Sequence, residues 1–87
     1  MDNKFVRRMI EEKGLMDETI EVVEGGMQHI IEMPALVEFI ENIEDKDMKQ
    51  KIINTLSIID FKNGDVMHYM NHLAKGYAAV YNHSMGL

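Results

Sequence analysis

The sequence predicts an all-α fold: a compact bundle of four to five short helices, the last two forming an antiparallel helical hairpin. Three observations lead there. Between Asp65 and His83, the residues Val66, Tyr69, Met70, Leu73, Tyr77, Val80 and Tyr81 recur at the three- and four-residue spacing of one helix face. The chain has a single proline, and no strand-like alternation persists anywhere along it. Cap-like residues and short polar connectors punctuate the apolar segments where helices are expected to begin and end.

The first helix is expected from about Asn3 to Lys13, with Asp2 as its N-cap, Phe5, Met9 and Val6 inward, and Gly14 as its stop. Asp17 caps a second helix whose Ile20, Val23, Met27, Ile30 and Ile31 share a face, leaving Glu18, Glu21, Gln28, His29 and Glu32 on the other. Gly25 and Gly26 fall in its middle, where each costs about 1 kcal/mol against alanine, so a kink, a break or a close backbone approach is expected there. Pro34 suits the first turn of a third helix ending near Ile43, with Leu36, Phe39, Ile40 and Ile43 buried. After a polar connector, Asp47 caps a fourth helix from Met48 to about Ile59 that aligns Met48, Ile52, Leu56 and Ile59. A turn at Lys62, Asn63 and Gly64 folds the last helix, capped by Asp65, back against it, and residues 84–87 form a frayed tail.

With 87 residues the chain is read as one domain, near the size at which a single core is marginal and association with a partner or a second copy adds stability. The absence of cysteine excludes disulfides and thiolate chemistry. Early charges in MDNKFVRRMIEE argue against a signal peptide, and no run approaches the ~20 apolar residues of a membrane span, so a cytoplasmic location is expected. The net charge of −6 is unevenly spread. Asp17, Glu18, Glu21, Glu24, Glu32, Glu38, Glu41, Glu44 and Asp45 occupy a stretch without lysine or arginine, whereas Lys49, Lys51, Lys62 and Lys75 outnumber Asp60 and Asp65 after Met48. No clustered positive surface results, which disfavours nucleic acid and anionic membranes as partners.

Two groups of residues are candidates for function. On the outer stripe of the last helix, His68 and His72 stand four apart with Asp65 three residues earlier, the spacing at which one helix face offers ligands to a single metal ion. His83 lies about 16 Å further along the axis by the rise of ~1.5 Å per residue, so a third protein ligand has to come from His29, an acidic residue of another helix or a second subunit. Zinc, nickel or iron(II) suits such a set. The other group is a partner-binding surface formed by Glu38, Glu41, Ile53, Ile58, Phe61 and Met67. Together with Met16, Met33, Val22 and Val37, the apolar members lie off the main faces and exceed what one small bundle needs to bury, and the chain's nine methionines suit an adaptable contact surface. Neither a calcium loop, an HExxH helix, a phosphate-binding glycine loop nor a nucleophile triad is present. The expected function is a non-catalytic protein–protein interaction module, a small regulatory or accessory subunit and a candidate homodimer. The alternative is a metal- or cofactor-binding protein using the histidine stripe.

Overall fold

A β-hairpin stands where the helical reading puts its second helix. The computed structural model describes residues 4–59 and 63–84, and runs α1 (Phe5–Glu12), β1 (Thr19–Glu24), β2 (Met27–Glu32), α2 (Met33–Glu41), α3 (Lys46–Ile58) and α4 (Asn63–Ser84). The fold is therefore mixed α and β rather than all-α, with one antiparallel two-stranded sheet among the described residues. Expectations for Asp2 and Phe61 fall outside those residues.

The correction has a local cause. Gly25 and Gly26 have φ of 63° and 76°, the pair of positive values that a two-residue type I′ turn requires and that residues with a side chain rarely adopt. What looked like a weakness in a helix is the turn itself. On either side, TIEVVE and MQHIIE are rich in β-branched residues, whose stiff side chains fit a pleated strand better than a helix. The strand period buries Ile20, Val22 and Ile31 and exposes Val23 and Ile30, although the helical wheel had placed Val23 and Ile30 inside. Val22, judged surplus to the helical faces, is core for the same reason.

The remaining boundaries hold within a few residues. Gly14 ends α1 as expected: at φ 70° it lets Gly14 N–H reach the Glu11 carbonyl (3.0 Å) and Leu15 N–H reach that of Ile10 (3.1 Å). Leu15 is thereby turned into the core with Val6 and Ile10. α2 follows β2 directly, with Pro34 in its first turn. Its inner face is Met33, Leu36, Val37 and Ile40, so Met33 and Val37 are core residues rather than surplus, while Phe39 and Ile43 are half-buried. Asp45, not Asp47, caps α3, its Oδ1 accepting from the N–H groups of Asp47 (3.0 Å) and Met48 (3.1 Å). Ile52 and Leu56 point inward from α3 as expected, but Met48 is largely exposed. α4 begins before Asp65, which lies in its first turn, where a carboxylate complements the helix dipole.

The expected hairpin of the last two helices gives way to a different pairing: β1 is the element that α4 approaches most extensively. Its buried seam steps by four residues through Val66, Met70, Ala74 and Ala78, with Tyr69, Leu73 and Tyr77 half-buried beside it and Val80 mostly exposed. Ala74 and Ala78 were not foreseen. Their small side chains let the helix settle close to the strand, which a wheel of large residues does not provide.

Ala74→Leu is expected to force overpacking at this seam and to destabilise by about 1–3 kcal/mol in denaturant unfolding. Gly26→Val, for which no neighbour lies within 4 Å of an added Cβ, is expected to destabilise by about 1–2 kcal/mol through backbone conformation alone. Gly26→Asn should recover most of that loss. Equal stability of all three glycine-site proteins would refute the turn assignment.

Candidate functional site

The hairpin has two unlike faces. Its register pairs Ile20 with Ile31, Val22 with His29 and Glu24 with Met27 on the side that α4 covers. On the other side lie the pairs Thr19 and Glu32, Glu21 and Ile30, and Val23 and Gln28, all six residues exposed. Val23 is 66% and Ile30 67% accessible, high values for β-branched residues in a strand. Gln28 Nε2 donates to Glu21 Oε2 at 3.4 Å across the diagonal between them. The face thus carries two apolar corners and a polar diagonal, with Thr19 and Glu32 at its far end.

The edges follow from the same ladder. Met33 N–H donates to the Glu18 carbonyl at 3.0 Å, so Glu18 and Met33 stand at a hydrogen-bonding position of the ladder, although Glu18 N–H itself donates to the Leu15 carbonyl at 3.1 Å. By antiparallel alternation, so do Ile20 and Ile31, Val22 and His29, and Glu24 and Met27. The main-chain groups of Thr19, Glu21 and Val23 therefore point away along one edge, and those of Gln28, Ile30 and Glu32 along the other. At its α2 end the β2 edge is already taken up, since Glu32 is the N-cap of α2 and its carbonyl accepts the first helix N–H, that of Leu36. A surface groove of about 290 Å³ runs beside β2, lined by Gln28, His29, Ile30, Ile31 and Tyr77 of α4. Tyr77 is also the wall of a second groove of about 370 Å³ with Ala35, Glu38, Phe39 and Asn42. Its ring meets that of Phe39 edge to face at 5.0 Å and 83°, joining α4 to α2.

No protein-family model, curated protein or solved structure matches the chain.

The residues singled out from the sequence are scattered. Asp65, His68 and His72 are exposed on α4, and His29 lies half-buried on the helix-facing side of β2. Among the described residues, no group of three histidine, aspartate or glutamate side chains is arranged to hold one ion. The side chain of His83 falls outside the described residues. Of the expected partner surface, Glu38 is exposed and Ile58 is 83% accessible, whereas Ile53 and Met67 are half-buried against the core. Val23 and Ile30 were missed because the helical template turned them inward.

Glu41 is engaged within the chain. Arg7 Nη2 donates to its Oε1 at 2.6 Å, and its side chain is only 15% accessible. The hydrogen bond to Glu41 raises the Arg7 guanidinium pKa above its ordinary value, outweighing the lowering by partial desolvation. The Glu41 carbonyl meanwhile accepts from Lys49 Nζ at 2.8 Å. One residue at the end of α2 thus holds both α1 and α3. Glu41→Ala is expected to lower the melting temperature and speed amide exchange in α1, while Glu38→Ala leaves both unchanged. Identical behaviour of the two variants would show that the ion pair contributes nothing.

Proposed function

We propose that the chain is a non-catalytic protein–protein interaction module, a small regulatory or accessory subunit acting in the cytoplasm through the solvent side of its β-hairpin. The observation that carries this reading is the exposure of Val23 and Ile30, about two-thirds accessible among the described residues, on the sheet face away from α4. Exposed β-branched side chains on a bare sheet face lose contact with water when a second surface docks, and gain about 25 cal/mol for each Å² buried. Glu21 and Glu32 border them, and Glu18 follows at the base of the hairpin. That arrangement favours a protein partner with an apolar centre and basic or amide groups at its rim. It keeps the form of the surface expected from the sequence, apolar and ringed by carboxylates, but moves it from α2 and α3 to the hairpin. Among the described residues, no helix is long and apolar enough to cross a membrane.

A photoreactive residue at position 23 or 30, introduced in the native cell, is expected to yield discrete protein adducts. The same probe at Met48, exposed on α3, is expected to yield none of them. If positions 23 and 30 give no protein adduct, or give the same products as position 48, the hairpin is not the contact surface.

A further inference from the structure

We propose that the outer edge of β1 takes up an extended, basic segment of a partner protein as a third, antiparallel strand. This rests on the interaction-module reading and names the partner's chemistry and the part of the hairpin it lies along. The two edges of the hairpin differ. β2 runs straight into α2, whose first turn takes up the Glu32 carbonyl. β1 is joined to no helix directly: residues 13–18 precede it, and the turn at Gly25 and Gly26 follows. Its pairing with β2 is continuous, and TIEVVE has no lysine, proline or bulge, the features that commonly blunt a natural edge. Thr19, Glu21 and Val23, whose main-chain groups point outward, are all exposed, and among the described residues no main-chain hydrogen bond from another element reaches them. Each offers one N–H and one carbonyl to an added strand.

Charge selects the occupant. Asp17, Glu18, Glu21 and Glu32 are exposed on the hairpin and at its base, within a stretch from Gly14 to Asp45 that has no lysine or arginine. A second copy paired on the same edge brings that acidic stretch against itself, and with Glu21 on the two-fold axis it opposes Glu21 to Glu21. A basic strand meets the opposite sign instead. Its register follows from the side chains that share the exposed face. A lysine belongs opposite Glu21, and a β-branched apolar residue opposite Val23. Two residues past the lysine, the position opposite Thr19 borders a hollow of about 210 Å³ lined by Met16, Asp17, Glu18, Thr19, Glu32 and Pro34. Neighbouring strands lie about 4.8 Å apart, so an arginine at that position reaches the hollow and presents its guanidinium to carboxylates. Read from its N-terminus, the segment is Val-x-Lys-x-Arg.

The probe is the peptide acetyl-Thr-Val-Thr-Lys-Thr-Arg-Thr-amide, titrated at low ionic strength into the full, isotopically labelled chain and followed by NMR. Saturable binding is expected, with amide exchange slowed at Glu21 and Val23 but not at Gln28 and Ile30. Methylating the lysine main-chain nitrogen, which faces Glu21, removes a ladder hydrogen bond while keeping the charge, and should abolish binding. Methylating the nitrogen of the threonine before it, which faces away, should leave binding nearly unchanged. Glutamate in place of the lysine and the arginine should weaken binding by on the order of tenfold. On the protein, Glu21→Lys should weaken it about fivefold, and the charge-matched Glu38→Lys on α2 should not. No binding at millimolar peptide, equal effects of the two methylations, or equal effects of Glu21→Lys and Glu38→Lys overturns the proposal. So does protection of Glu21 and Val23 that rises with protein concentration in the absence of peptide, which assigns the edge to a second copy. Adducts from position 30 in the cell without peptide binding remove the edge alone. Peptide binding as expected, without such adducts, upholds the edge and removes the reading of the face alone.

Discussion

A two-stranded sheet does not hold itself together in water, and the hairpin of this protein persists because α4 lies across one of its faces. That requirement organises the molecule. Ile20, Val22 and Ile31 share one buried core with Val66, Met70, Ala74 and Ala78 of that helix. The helix spans more than the length of either strand, and alanine rather than leucine at its centre sets how near it comes. With one face so occupied, the other keeps Val23 and Ile30 exposed among the described residues.

The first three helices form a brace around this pair. α2 emerges from β2 without a loop, and the hydrogen bond from Met33 to Glu18 carries the sheet pairing one step past the strands into the start of that helix. At its other end, Glu41 engages Arg7 through its carboxylate and Lys49 through its carbonyl. The edge-to-face contact of Phe39 with Tyr77 connects the brace to α4. Each link is modest alone, as partly exposed ion pairs and single ring contacts are. Their effect is to hold a small core in one arrangement.

The helices were legible in the sequence because their apolar spacing, Gly14, Pro34 and the aspartates near Lys46 act locally. α4 was placed within two residues of its ends, with His68 and His72 outward, since Val66, Tyr69, Met70 and Leu73 keep the three- and four-residue spacing that no strand reproduces. The hairpin was misread because Ile20, Val23, Met27, Ile30 and Ile31 satisfy a helical wheel as well as Ile20, Val22 and Ile31 satisfy a strand. Short apolar runs are ambiguous between the two periods. The deciding signal was available: two β-branched runs separated by two glycines. Misassigning that one element misplaced Val22, Val23 and Ile30, and with them the exposed face. The seam of Ala74 and Ala78 was hidden for another reason, since a small residue chosen for close approach looks neutral in any count of hydrophobic residues. The partners of Glu41 depend on how helices distant in the chain are brought together, which spacing does not encode.

The order of elements has a consequence for synthesis. The hairpin leaves the ribosome well before the helix that shelters it, and its turn and strands need only local contacts to form. Until the last segment is translated, Ile20, Val22 and Ile31 stand bare on a nascent chain with two open strand edges. The interval between making the hairpin and covering it is thus when this protein is most exposed to mispairing with its neighbours on the same messenger, and a cell that translates the α3 and α4 region quickly shortens that interval.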